Sequence, residues 1–274
     1  MMKTLAAPLL VLLAACGSGS PHSEPVGGTT PAGTFTLHAR RLHDGTTVQW
    51  KPSETAVIIC DMWDAHWCRS ATRRCGELAP RIDRFAKAAR QAGAFIVHAP
   101  SDVVKFYDGT PERRRAQEAP KVKTDVPIKS CGLDPEREGP LPVDDSDGGC
   151  DDEPRCPGKP YPWTRQIATI EIAPGDAVSD RGEEIYALFV QRGIKNVFMT
   201  GVHTNMCVVG RSFAIRQMVK LGMNVALVRD LTDSMYNPRM RPFVPHDKGT
   251  ELIIGHIEKY WCPSILASDV DHGY

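Results

Sequence analysis

The chain has 274 residues, 42% of them hydrophobic and 24% charged, with 33 Lys+Arg balanced by 33 Asp+Glu. That is enough apolar material for the core of one domain, or at most two, and it excludes disorder as the state of the whole chain. A formal net charge of zero argues against a nucleic-acid binder, which meets phosphate with a basic excess or stripe, and the short run Arg113-Arg114-Arg115 does not supply one.

In chain order, the first feature is a single base, Lys3, followed by an apolar stretch over residues 5–15 that contains Leu9-Leu10-Val11-Leu12-Leu13. It is about half of the ~20 residues that span a bilayer and has the form of a signal h-region. It ends in Leu13-Ala14-Ala15-Cys16-Gly17, which resembles the lipobox of bacterial lipoproteins. The resemblance implies a signal peptide over residues 1–15, lipidation of Cys16, and an extracytoplasmic protein held at the membrane by a lipid anchor alone. An ordinary secretory peptide would differ only in lacking the anchor. Residues 16–33 are rich in Gly, Ser, Thr and Pro and read as a tether, with the folded domain expected over residues 34–274. Export would place the cysteines in an oxidising compartment. Cys60 falls in an apolar run and Cys207 in a motif described below, which leaves Cys68, Cys75, Cys131, Cys150, Cys156 and Cys262 as candidates for disulfides. Cys150 with Cys156 is the first expected pair and Cys68 with Cys75 the second.

The run Thr55-Ala56-Val57-Ile58-Ile59-Cys60 is continuous and β-branched, as suits a strand buried on both faces, and it ends at Asp61. Leu78, Ile82, Phe85, Ala86 and Ala89 recur at helical spacing, with Gly93 as the stop. Residues 94–99 and 167–172 read as further strands, residues 182–191 as a helix, residues 196–202 as a strand, residues 206–221 as a helix and residues 224–230 as a strand. This β-α alternation predicts a three-layer α/β/α fold around a parallel sheet. Residues 121–163 lack apolar periodicity and carry the acidic run Asp144-Asp145-Ser146-Asp147-Gly148-Gly149-Cys150-Asp151-Asp152-Glu153. Its spacing departs from the EF-hand loop, so a solvated loop pinned by a disulfide is expected in preference to a Ca²⁺ site.

In open parallel sheets, ligands bind beyond the carboxyl ends of the strands. Asp61 and the segment Gly201-Val202-His203-Thr204-Asn205-Met206-Cys207 are expected there. A cysteine in the first turn of a helix has its thiolate favoured, and the backbone N–H groups around it can hold an oxyanion. Asp61 can then accept the thiol proton if burial keeps it basic enough. By spacing alone, a buried structural cysteine and a capping aspartate are the commoner readings. Trp63, Asp64, His66, Trp67 and Cys68 crowd behind Asp61, and the aromatic rings among them suit a flat substrate, or one Trp closes the edge of the core.

Val57-Ile58-Ile59-Cys60-Asp61-Met62-Trp63-Asp64, the segment from Gly201 to Val208, and Val225-Ala226-Leu227-Val228-Arg229-Asp230 together resemble the isochorismatase-like cysteine hydrolase superfamily, which includes nicotinamidases. The resemblance implies Cys207 as nucleophile, Asp61 as general acid/base, and a cis peptide at Val202-His203 that shapes an oxyanion hole with the Cys207 N–H. It implies hydrolysis of a small amide or related C–N bond. It also implies a Lys on the third strand, but residues 170–184 contain none; Arg181 lies in that stretch, and Lys105, Lys159 and Arg165 are the other cations that loops could bring in. No cofactor is expected, although His66, His98 and Asp102 are a conceivable divalent-metal set. A small-molecule substrate and a homo-oligomer are expected. The missing Lys leaves one rival, a binding lipoprotein without turnover; a second is isochorismatase-type vinyl ether hydrolysis, which needs the Asp as proton donor but no thiol, so that the Cys207 match argues against it.

Overall fold

The computed structural model describes residues 1–2, 33–42 and 44–271, so Cys16 and the tether up to residue 32 lie outside the described residues. The fold begins with an antiparallel hairpin, β1 (Phe35–Arg41) and β2 (Asp44–Trp50). The parallel strands follow: β3 (Thr55–Cys60), β4 (Phe95–Ala99), β5 (Ala177–Val178), β6 (Asn196–Val202), β7 (Asn224–Asp233) and β8 (Ser264–Ile265). They form one sheet in the order β2-β1-β8-β7-β6-β3-β4-β5, parallel from β8 to β5, with the hairpin antiparallel on the β8 edge.

Alternation along β3 divides the core. Val57 and Ile59 pack with Phe198, Ala226 and the apolar face of α1 (Arg69–Ala92), while Ala56, Ile58 and Cys60 pack with residues of α3 (Gly182–Arg192), α5 (Ile215–Lys220) and α6 (His246–Tyr260). Each fully buried aliphatic side chain contributes roughly 1.5–3 kcal/mol, and both faces of the central strands are lined this way, which is the three-layer α/β/α arrangement. Helix α1 buries Leu78, Ile82, Phe85, Ala86 and Ala89 and ends where Gly93 turns left-handed at φ 104°.

Two elements differ from the sequence reading. Residues 167–172 form no strand, because the Ile167 N–H turns back to the Met62 carbonyl (2.8 Å) and the Ile170 N–H to that of Ile167 (3.2 Å). The two residues of β5 take the sheet edge instead, paired with Val97 and His98. The helix expected over residues 206–221 is broken into α4 (Cys207–Gly210) and α5. The Gly210 carbonyl accepts the Cys131 N–H at 2.7 Å and is thereby withdrawn from the helical ladder.

Apart from a short 3₁₀ turn at Val104–Tyr107 and α2 (Pro111–Gln117), the long connection from β4 to β5 is irregular, and side chains latch it to the body. Asn205 Nδ2 donates to Asp145 (2.8 Å), Asn237 Nδ2 to Asp147 (2.8 Å), and Arg74 Nη1 to Asp151 (2.8 Å). Gly149, at φ 72°, lies so close to Met235 that a Cβ would sit 2.2 Å from its carbonyl oxygen. Three carboxylates of the acidic run, Asp145, Asp147 and Asp151, are thus engaged by protein partners.

The expected disulfides do not form, and all eight cysteines among the described residues are free. Cys75 points into the core with its sulfur 3.7 Å from that of Met62, away from Cys68. Cys68, Cys150 and Cys156 instead gather around one carboxylate, Asp152.

Candidate active site

The chain runs β3, β4, β5 outward on one side, then returns to lay β6 against the other side of β3. The crevice between β3 and β6 is thus the point where the strand order reverses, the usual ligand position in such sheets. Asp61 leaves β3 and Cys207 follows β6, so the two residues flank that crevice. Gly201 makes the approach tight: at φ 100°, a Cβ there would lie 2.0 Å from the Cys60 carbonyl oxygen.

Asp61 is fully buried and sits at φ 48°, a left-handed conformation that Asp tolerates better than most residues. Its Oδ1 accepts the Ser101 N–H at 2.7 Å, and its Oδ2 accepts from Arg211 Nε at 3.2 Å. The Cys207 thiol stands beside the same carboxylate, near enough for each to act on the other's ionisation. Burial raises the Asp61 pKa above its ordinary value against the opposing pull of Arg211 and these hydrogen bonds. Burial also pushes the Cys207 thiol well up, the Asp61 charge adds to this, and Arg211 works against it. Helix α4 has only four residues, so its dipole is a weak aid to the thiolate. Without substrate, the pair is arranged as a neutral thiol beside a buried acid whose pKa is raised, with a proton to share between them.

Arg211 is the cation that the sequence reading missed. It stands four residues after Cys207, the spacing that puts two side chains on one face of a helical turn, and it also approaches Asp102 at 3.6 Å. That i, i+4 spacing was the available signal. Three of the cations expected in its place are engaged elsewhere: Arg181 pairs with Glu184, Arg165 lies over the Phe106 ring and Lys159 over the Tyr161 ring. The fourth, Lys105, lies in the short helical turn of residues 104–107.

The Val202–His203 peptide is cis. His203 is buried, and neither ring nitrogen has a hydrogen-bond partner among the described residues. Burial, with the nearby His66 ring adding to it, lowers its pKa to about 3, so the imidazole is neutral. His66, also lowered by burial, to about 4, stands edge-on to His203 with centroids 4.9 Å apart. Trp63 is buried and donates its indole N–H to the Ser101 carbonyl. Its face is covered by Trp163 from residues 121–163, the insertion between β4 and β5 (4.6 Å, 13° between planes), which is stacked in turn on Tyr161 (4.3 Å). The insertion therefore folds back toward the loop after β3 and brings rings.

Cys207 and Arg211 open onto a cavity of about 430 Å³ walled by Cys131, Leu133 and Leu141 of the insertion and by Asn205. Behind them, Asp233 is held between Arg74 Nε (2.9 Å) and His246 Nε2 (2.9 Å), and its carbonyl accepts the Thr204 N–H. The structure does not bring His66, His98 and Asp102 together as a metal set. His98 is a core residue whose ring nitrogens contact Gln166 and Asp176, each at 3.0 Å, and Asp102 faces Arg211.

No protein-family model and no curated protein matches the sequence. Solved structures match in fold. A cysteine hydrolase from Pseudomonas syringae pv. phaseolicola 1448A aligns at a TM-score of 0.51 and 16% identity over 82% of this chain and 95% of its own. An isochorismatase family protein from Burkholderia thailandensis aligns at a TM-score of 0.46 and 18% identity, over 80% of this chain and 95% of its own. An isochorismatase from Pseudomonas putida KT2440 aligns at 0.46 and 14%, over 80% and 91%. The chain thus shares the fold of the Pseudomonas syringae cysteine hydrolase, in line with the three-layer α/β/α architecture that the sequence resemblance implied.

Proposed function

We propose that the chain is a cysteine hydrolase that cleaves a C–N bond of a small amide through Cys207 and Asp61, with Arg211 as the cation beside them. The observation that carries this reading is the meeting of a thiol, a buried carboxylate and a guanidinium at the β3/β6 crevice. As the Cys207 sulfur attacks the substrate carbonyl, its proton passes to Asp61, whose raised pKa makes it a fit acceptor. Collapse of the tetrahedral intermediate breaks the C–N bond, and Asp61 returns the proton to the departing amine. Water then attacks the thioester and gives its proton to Asp61, which passes it to the departing thiolate, so that the acid is freed and the thiol and carboxylate are restored. Arg211 keeps Asp61 oriented and offsets the negative charge that the thiol and carboxylate share. The neutral His203, with both ring nitrogens unpaired, and the Cys207 N–H are the groups we assign to the substrate and its oxyanion. Trp63 and His66 shape the wall through the stack with Trp163.

Ammonia release from a panel of small amides and carbamoyl compounds tests the reading. Wild type should turn over at least one compound, Cys207→Ala should be inactive, and Asp61→Asn should lose about 10²–10⁴-fold. Folded wild type that releases no ammonia from any member, or a Cys207→Ala variant that still works, would remove the thiol mechanism.

A further inference from the structure

We propose that Cys68, Cys150, Cys156 and Asp152 form a structural zinc site, three thiolates and one carboxylate in a tetrahedron, which staples the insertion to the start of α1. The three sulfurs converge on one atom: Asp152 Oδ2 lies 3.3 Å from the Cys68 sulfur, 3.5 Å from that of Cys150 and 3.2 Å from that of Cys156. Zinc binds sulfur at ~2.3 Å and carboxylate oxygen at ~2.0–2.2 Å, so the sulfur-to-oxygen edge of its tetrahedron is about 3.5 Å. All three observed edges are close to that length. The ligand atoms of Cys68, Cys150 and Asp152 also lie within 4.8 Å of one another; the Cys156 sulfur stands outside that group of three and meets it at the carboxylate oxygen, so closing the tetrahedron draws Cys156 inward.

A disulfide accounts for less of this. It joins two sulfurs at ~2.05 Å and leaves the third thiol and the carboxylate without a role. The surroundings suit a closed structural site, which keeps no open position for a substrate. Cys68 and Cys150 are fully buried and Cys156 nearly so, and they pack with Ala71 and Met235 in a small cluster of their own. The carboxylate is oriented by a further layer of contacts: Ser70 Oγ donates to Asp152 Oδ1 at 2.8 Å and the Ser70 N–H to Oδ2 at 3.1 Å, the kind of support that metal-bound carboxylates receive. Arg69 Nε lies 3.9 Å from the same group and offsets part of the charge. Thiolate-rich sets select zinc over the hard cations that the acidic run would otherwise suggest. On binding, the three thiols lose three protons to solvent and form three Zn–S bonds, while Asp152 supplies the fourth bond, with no change of oxidation state. Neither Cys207 nor Asp61 takes part, so the site stands or falls independently of the hydrolase reading.

The test uses the purified full chain, reduced and dialysed against Zn²⁺, with metal measured per chain and Co²⁺ as a spectroscopic substitute. Wild type should hold one zinc, and the Co²⁺ form should show sulfur-to-metal charge transfer. Cys150→Ser and Cys156→Ser should lose both, and Cys131→Ser should keep both. Because a ligand variant can fail to fold, alkylation of wild type is mapped by mass spectrometry with and without a chelator. Chelation should expose Cys68, Cys150 and Cys156 together. No retained zinc with the thiols reduced, equal alkylation with and without metal, or a chain in which Cys150 is joined to Cys68 or Cys156 would each overturn the proposal.

Discussion

Arg211 shows how one side chain sets the chemistry of two others. Its guanidinium bonds the Asp61 carboxylate and opposes the effect of burial on both Asp61 and Cys207. Removing that charge disfavours the carboxylate form, so the Asp61 pKa rises further in Arg211→Ala. The proposed chemistry needs Asp61 ionised to take the thiol proton, and the acid limb of the kcat/KM profile should therefore move to higher pH. The loss of a preorganised charge beside the reacting atoms should also cost about 100-fold in kcat/KM. Arg211→Lys restores the charge without the planar fork, so it should return the limb toward its original pH and recover only part of the rate. A profile from an amide substrate of the ammonia screen decides this: an unchanged limb in Arg211→Ala would mean that the guanidinium does not act on Asp61.

Among the elements, β6 has the strictest local requirement. Gly201 is both left-handed and in backbone contact with Cys60, and β6 shifts register against β7 between Met199 and Gly201. Gly201→Ala adds strain at φ 100° and a clash with rigid backbone. It should destabilise the protein by at least about 2 kcal/mol, seen as a lower urea midpoint. The same change at Gly255, where nothing lies within 4 Å, should be near neutral or stabilising because Ala favours the helix. Legibility in the sequence followed the same divide between local and distant causes. The strands β3, β4, β6 and β7 and the helices α1 and α3 could be read because their apolar periods are set by the elements themselves, and α1 is stopped by its own Gly93. The alternation of Phe35, Leu37 and Ala39 in β1 and the spacing of Ile253, Ile254 and Ile257 in α6 carry the same kind of signal, although neither element was expected. What could not be read locally depended on remote partners. The break after Gly210 needs the Cys131 N–H, and the turn that replaces a strand at residues 167–170 needs Met62. The thiols of Cys68, Cys150 and Cys156 needed the fold to bring the insertion beside α1. Asp61 and Cys207 were legible as candidates through their motifs, whereas Arg211 waited on the short α4 that turns it back toward Asp61.

At the scale of the molecule, the insertion is anchored to the helices beneath it by a buried acid. Glu138 accepts from Arg216 Nη2 of α5 (2.9 Å) and from the Trp261 indole (2.9 Å), and it contacts His256 Nε2 of α6 at 2.8 Å. Burial alone would raise its pKa, but the bonds from Arg216, His256 and Trp261 prevail and hold it at about 2. A carboxyl that titrates lower in the folded chain than in the unfolded one binds its proton first in the unfolded state. Its stabilising contribution is therefore complete above the ordinary value of 4.5 and is lost as the pH falls from there toward about 2. Glu138→Gln keeps the shape but leaves Arg216 buried opposite a neutral group. The variant should be about 3–5 kcal/mol less stable at neutral pH, the magnitude for a buried pair that loses one partner. The gap between variant and wild type should shrink as the pH drops through that acid window, because wild-type Glu138 then becomes neutral as well. Urea unfolding of both proteins across the acid range measures the gap directly. A difference that stays constant down to pH ~2 would assign the loss to packing, and a variant as stable as wild type at neutral pH would mean that the insertion is held by its other latches at Asp145, Asp147 and Asp151.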